Sequence, residues 1–398
     1  MGKVPKPVGA ESGLLSRRTL LRAAGAAAFL GASAGVLPMF GTPGRKQTPR
    51  SCPSTDLSGS KPELLVSNWP AYMDPLEEPG STVSRFEQAT GITVRYSEDI
   101  TDNEGFFAKV VNQLGSCESI GRDLFVTTDY VCAQMLSLGW IQELDHARLP
   151  NVDANLLPEL RQVAFDPGRR YSVPWQSGFT GIAYNAALVP EVRSYDDLLN
   201  RKDLNGRVTL LTEMQDTMCA MLRVSGADPV NFTQDEWLAA LDVLRQARGR
   251  GQVRAFTGNE YLQDLAAGNV VACLAWSGDT IQLQFENPDI RFVVPEEGMY
   301  FFSDNMMIPN RAAHKANAEA WINHYYDPEV AARLAAYVNY VCPVAGAQQA
   351  MAAIAPELVD NPLIFPTAEF LANTYEFMPL GETRLKRCRR DFADAIGG

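Results

Sequence analysis

The sequence predicts an α/β protein of two units, each a mostly parallel sheet flanked by helices. Three observations carry this expectation. The chain has 398 residues, and the roughly 340 that follow a leader and a linker are more than one hydrophobic core usually holds. Strand-like and helix-like stretches alternate in two separate runs, the βαβ rhythm of a parallel sheet. The apolar strands end in aromatic and acidic residues, and in open α/β sheets ligands sit beyond the carboxyl ends of the strands.

Residues 1–40 read as an export signal. Ser16, Arg17, Arg18, Thr19, Leu20 and Leu21 precede a small, apolar run from Ala23 to Leu37, and the paired arginines point to the twin-arginine route. That run is shorter than the roughly 18 to 20 apolar residues that cross a bilayer. Ala32, Ser33 and Ala34 supply a small-residue cleavage pattern; whether the signal is cut or kept as an anchor stays open. Residues 41–61, rich in Gly, Pro, Ser and charge, bury too little apolar surface to fold and read as a flexible linker.

From Leu64 the first run begins. Leu64, Leu65 and Val66 form an apolar strand; Ser81 to Thr90 is a short helix closed by Gly91; and Ile92, Val94 and Tyr96 alternate as a strand does. Phe106, Phe107, Val110, Val111 and Leu114 share one helical face, and Asp123 to Val126 is the next strand. The second run follows Tyr171 to Pro174. Arg207 to Leu211 reads as a strand, Thr233 with Glu236 as a capping box, Ala255 and Phe256 as a strand end, Tyr261 to Ala267 as a helix stopped by Gly268, and Val270 to Trp276 as a strand covered on both faces. Met299 to Pro309 is again strand-like, and beyond Ala316 the chain is helical, with Pro328 at a favoured first helical position.

Removing the chain through Ala34 takes five of the 35 basic residues and one of the 47 acidic ones, leaving a formal charge of −16. Such a surface disfavours nucleic acid and steers cations inward, though excess acid equally serves solubility. Seven cysteines lack CxxC spacing, so neither a zinc knuckle nor a redox pair is indicated and an odd one is left over. Their connectivity is open, while Cys219 and Cys273 sit in apolar runs that favour burial. No metal or other cofactor is called for.

The strand ends carry the chemistry. Trp69 and Tyr72 lie on a Pro-containing turn after the first strand, Thr128 and Tyr130 after the next, Glu213 and Asp216 after a third, then Trp276, with Phe302 and Asp304 in the last. Aromatic faces attract ammonium and cover methylenes, and carboxylates mark where each nitrogen sits. Together these types describe a site for an organic cation. Each also has a bland reading: Trp69, Trp276 and Phe302 as core rings, Asp129 and Asp216 as helix caps, Asp304 as a strand-end turn residue.

Several segments strengthen the cation reading. Asn68 to Tyr72 (NWPAY), Asp123 to Val131 (DLFVTTDYV), Tyr171 to Asn185, Ala275 to Asp279 (AWSGD), Phe301 to Pro309 and Asp327 to Val344, in that order and spacing, resemble the periplasmic spermidine/putrescine-binding proteins of ABC transporters. The resemblance implies the two-lobe periplasmic-binding-protein fold, with lobes joined by crossing strands: one lobe from residues 62–178 plus 304–348, the other from 179–303 plus 349–398. It implies hinge closure on a polyamine, delivery to the permease subunits of the transporter, a monomer, and contact with the membrane only through the signal or the permease. By the same resemblance Trp69, Tyr72, Thr128, Tyr130, Trp276, Asp304 and Tyr340 match ligand-contacting positions, and Glu213 with Asp216 fall where the family has a pair of acids. Phe302 stands where spermidine binders often carry Trp, and the family's late Gln has no counterpart, so the preferred amine is open.

Two other classes compete. A secreted hydrolase needs only two acids, and Glu213 with Asp216 supply them, but His146, His314 and His324 form no HExxH and there is no GxSxG elbow or Walker loop. A sugar binder also stacks its ligand on rings and bonds it to carboxylates.

Overall fold

The computed structural model describes residue 52 and residues 54–397, so the expected export signal of residues 1–40 lies outside the described residues. The first run of elements is β1 (Glu63–Asn68), α1 (Thr82–Thr90), β2 (Thr93–Glu98), α2 (Asn103–Gly115), β3 (Leu124–Thr128) and α3 (Asp129–Ser137). After α4 (Pro150–Asn155) and a small hairpin of β4 (Gln162–Val163) and β5 (Asp166–Pro167) comes the long strand β6 (Ser172–Asn185). The second run is α5 (Tyr195–Asn200), β7 (Val208–Leu211), α6 (Met214–Val224), α7 (Gln234–Gly249), β8 (Val253–Thr257), α8 (Tyr261–Ala267), β9 (Ala272–Trp276), α9 (Ser277–Glu286) and β10 (Ile290–Val293). Then β11 (Met299–Met307) leads to α10 (Lys315–Tyr325), α11 (Pro328–Val338), α12 (Ala347–Ile354), α13 (Ala368–Leu371), β12 (Thr374–Tyr375) and α14 (Glu382–Ile396).

Local signals explain many of the boundaries. The Ser81 hydroxyl accepts from Ser84 N at the start of α1, and Gly91 ends that helix in the left-handed region, φ 71°, which costs glycine little. Thr233 and Glu236 form the reciprocal capping box at the start of α7. Gly268 closes α8 in the same left-handed way.

The two runs do not fold into separate sheets. The strand order is β2-β1-β3-β11-β6-β9-β7-β8, one curled sheet in which β10 adds to β6 and β12 to β11. The outer triplets β2-β1-β3 and β9-β7-β8 are parallel, as the βαβ rhythm requires, but β6 and β11 run antiparallel to each other, β11 antiparallel to β3 and β6 antiparallel to β9. All 14 residues of β6 are buried, and at about 3.3 Å per residue it is long enough to cross from one lobe to the other. The crossing is irregular. Between Asp304 and Asn305 of β11 the register against β6 slips by one residue, leaving Trp175 without a partner. The Pro174 and Trp175 carbonyls accept instead from the hydroxyls of Tyr326 (2.8 Å) and Tyr325 (2.6 Å) in and just after α10.

The described part of the expected linker is tied down. Cys52 is joined to Cys117 by a disulfide, Leu57 N donates to the Ala313 carbonyl at 2.7 Å, and Asp56 and Ser58 accept from the free N–H groups of Ala316 and Asn317 in the first turn of α10. Polar residues that cannot build a core still serve as partners for an exposed helix end. Cys132, Cys219, Cys273, Cys342 and Cys388 are buried thiols.

Candidate functional site, a cleft of acids and rings

The helices that follow two of the parallel strands each place a carboxylate at their third residue. After β7, Glu213 takes the N-cap position of α6 and Asp216 lies in its first turn; after β9, Trp276 precedes α9 and Asp279 lies in its first turn. Acids are favoured there by the helix dipole. Neither is a cap: Asp216 Oδ1 accepts from Thr180 Oγ1 (2.5 Å) and Trp276 Nε1 (2.9 Å). Asp279 accepts from the hydroxyls of Tyr340 (2.7 Å) and Tyr261 (3.1 Å) and from Asn259 Nδ2 (2.8 Å).

A third acid comes from the crossing strand. Asp304 lies inside β11, not in a turn, directly opposite Thr128 of β3. Its two oxygens accept from Thr128 Oγ1 at 2.7 Å and Tyr72 Oη at 2.8 Å. Glu213, the fourth, reaches across the cleft: Oε1 accepts from Asn103 N at 2.8 Å, the free first N–H of α2, and Oε2 accepts from Tyr130 Oη at 2.9 Å. Asn103 also donates from Nδ2 to Thr128 Oγ1 at 2.9 Å, so the hydroxyl that serves Asp304 is itself oriented.

Rings close the space between the acids. Trp69 and Trp276 meet edge to face with centroids 6.1 Å apart, and Tyr72 and Tyr340 do so at 4.6 Å. Trp69 Nε1 is held by the Val126 carbonyl at 3.2 Å. Phe302 packs above Gly178, where an added Cβ would press on both Phe302 and Tyr340. Trp69, Trp276 and Phe302 are thus buried and also face the cavity.

Nine of the ten residues marked by the sequence line one cavity: Trp69, Tyr72, Thr128, Glu213, Asp216, Trp276, Phe302, Asp304 and Tyr340. Tyr130 stands behind Glu213 instead of lining the space. Asn103, Asn259 and Asp279 also line it and had not been singled out. Asp279 carries a signal in hindsight, three residues after Trp276 at the mouth of the same strand. Asn103 and Asn259 carry none, because the start of α2 and the turn before α8, far apart in sequence, bring them in. Asp129 is not the helix cap that its position in the sequence predicts. The cap position belongs to Thr128, and Asp129 accepts from Asn305 Nδ2 at 2.5 Å.

Among the described residues no basic side chain lines the cavity. Burial pushes the carboxyls up, to about 8 for Glu213, about 7 for Asp304, and about 6 for both Asp216 and Asp279. Neighbouring acids add to the rise: Asp216 acts on both Glu213 and Asp304. The empty cleft therefore resists holding all four charges at once, and a bound cation relieves it.

The sequence profile of the bacterial extracellular solute-binding proteins matches residues 81–366. The putrescine-binding periplasmic protein PotF of Escherichia coli is 29% identical over 341 residues, covering 80% of this chain and 87% of that protein. The spermidine/putrescine-binding periplasmic protein of the same organism is 29% identical over 312 residues, covering 78% and 85%. A solved Listeria monocytogenes structure assigned to a spermidine/putrescine ABC transporter superposes with a TM-score of 0.74 at 27% identity, covering 84% of this chain and 99% of that one. With the profile spanning most of the folded chain and the same two-lobe architecture in the solved relative, this chain belongs to the bacterial extracellular solute-binding protein family.

Proposed function

We propose that the protein captures a polyamine of the putrescine or spermidine class in the cleft and hands it to the permease of an ABC transporter. The observation that carries this reading is the set of four buried carboxylates, Glu213, Asp216, Asp279 and Asp304, walled by Trp69, Tyr72, Trp276, Phe302 and Tyr340 with no basic side chain among the lining residues. Asp304 and Asp279 are linked through the touching hydroxyl-bearing rings of Tyr72 and Tyr340 and hold one ammonium; Glu213 and Asp216 hold the other. The rings cover the methylenes, each worth about 0.8 kcal/mol when buried. Binding alone is asked of these groups, and no catalysis.

The lobes divide at β6 and β11, giving 62–178 plus 304–348 on one side and 179–303 plus 349–398 on the other. The protein works as a monomer outside the cytoplasm, exported by the twin-arginine signal of residues 1–40; among the described residues no helix is long and apolar enough to cross a membrane. Calorimetric titration with putrescine, spermidine and a neutral sugar tests the reading. The amines bind and the sugar does not; a sugar that binds while both amines fail reverses it.

A further inference from the structure

One side chain of α9 holds the two loops that carry Tyr72 and Tyr340. Gln282 lies half-buried about one turn beyond Asp279 on that helix, and its Nε2 donates to the Ala71 carbonyl at 3.1 Å and to the Val338 carbonyl at 3.0 Å. A primary amide has two N–H groups, and both are used. The Ala71 carbonyl belongs to the peptide that enters Tyr72. Val338 is the last residue of α11, so its carbonyl is one of those the helix cannot pair itself, and Tyr340 follows two residues later.

Both loops turn on a left-handed residue beside the bonded peptide, Ala71 at φ 57° and Asn339 at φ 58°. An alanine keeps that conformation only where its surroundings fix it. The Tyr72 and Tyr340 rings then meet at 4.6 Å, and their hydroxyls donate to Asp304 and Asp279. β1, which leads into the Tyr72 loop, belongs to the triplet β2-β1-β3, whereas β9, which leads into α9, belongs to β9-β7-β8. Gln282 therefore ties a loop of one triplet to a helix of the other. Gln284, two residues on, is the contrast: its Nε2 donates to the Ile290 carbonyl at 3.1 Å, in β10, the next strand after α9. One glutamine reaches across and the other stays local.

We propose that Gln282 is a positioning residue: its amide clasps the Tyr72 and Tyr340 loops to α9 when the lobes close, and thereby sets how long a bound amine is held. The inference rests on the amine-binding reading and the lobe division above. Release requires α9 to part from both loops, so two hydrogen bonds break before the ring pair opens. Capture starts with the lobes apart, before either bond exists. The clasp therefore acts on the off-rate and not on the on-rate.

Stopped-flow mixing of putrescine with the purified protein, followed by the fluorescence of Trp69 and Trp276 in the cavity wall, measures both rates. Gln282→Leu is expected to raise the off-rate about tenfold, the scale of one to two net hydrogen bonds, with the on-rate within about twofold of wild type. Gln282→Asn is too short to span both carbonyls and raises the off-rate in the same sense, which keeps the test open if Gln282→Leu folds poorly. Gln284→Leu removes a bond of the same kind within one lobe and leaves both rates near wild type. An unchanged off-rate in Gln282→Leu and Gln282→Asn, an affinity loss carried by the on-rate, or an equal off-rate rise in Gln284→Leu overturns the proposal. Wild-type protein that binds neither putrescine nor spermidine overturns the amine reading itself and this inference with it.

Discussion

The Tyr72 hydroxyl donates to Asp304 Oδ2 at 2.8 Å, joining the loop after the first strand to the middle of the crossing strand, 232 residues later in sequence. Together with Thr128 on the other oxygen, it holds a carboxylate that burial pushes up to about 7 in a fixed orientation toward the cavity. An amide at this position keeps one acceptor for the same donors but cannot balance an ammonium. Asp304→Asn is expected to weaken amine binding more than tenfold, since breaking a buried ion pair costs about 3 to 5 kcal/mol. The empty variant should melt within a few degrees of wild type, checked by calorimetric binding beside a thermal scan.

Trp276 does two jobs, and the variants separate them. Its indole N–H serves Asp216, while its ring packs on Trp69 and Tyr261 and is 7% exposed. Truncation to Ala removes both and is expected to cost about 3 to 5 kcal/mol of stability as well as binding. Trp276→Phe keeps much of the packing and removes the donor, so amine affinity should fall several-fold with a melting temperature much closer to wild type.

The acids give the empty protein a defined pH dependence. Asp304 and Glu213 are raised to about 7 and about 8 from 3.8 and 4.5, so over that interval the folded state binds more protons than the unfolded chain. Their contribution is fully present below about pH 4 and is lost as pH rises through 7 to 8. The melting temperature without ligand should be higher at pH 5.5 than at pH 8.5, and the double variant Asp304→Asn with Glu213→Gln should flatten this difference. The rise in melting temperature on adding putrescine should run the other way and be larger at pH 8.5, where the carboxylates are free to pair with ammonium.

Gly278 tests the packing behind the site. It lies in the first turn of α9 against the Tyr340 ring, and an added Cβ would overlap that ring. Gly278→Ala is expected to push Tyr340 off Asp279 and to cost about 1 to 3 kcal/mol through overpacking. Amine affinity should fall with it, whereas Gly59→Ala, with open space around the glycine, should leave both quantities unchanged.

The parts of the molecule written in nearby residues were legible in the sequence. Ser81 with Gly91, Thr233 with Glu236, and the apolar run into Trp276 set their elements by contacts a few residues apart. Most of the marked residues that line the cavity sit at or just past a strand end or within the last long strand, whereas Tyr340, in the loop after α11, was marked through the family resemblance alone. What escaped depends on distant partners. The antiparallel pairing of β6 with β11 merges the two runs into one sheet, and no local pattern encodes it. Glu213 was marked as an acid, but its pairing with Asn103 N and Tyr130 requires the lobes to face each other. The Cys52–Cys117 bridge spans 65 residues and has no spacing rule, and it fastens a stretch whose composition reads as linker.

The most direct test of the cleft as a polyammonium site is the proton balance of binding. Putrescine is titrated calorimetrically at pH 7 in two buffers of different ionisation enthalpy, and the difference in apparent heat gives the protons exchanged. Because Glu213 and Asp304 hold protons near neutrality in the empty cleft, each diamine bound should expel roughly one proton. Saturable putrescine binding with no proton release, or with uptake, would contradict a site built on these carboxylates.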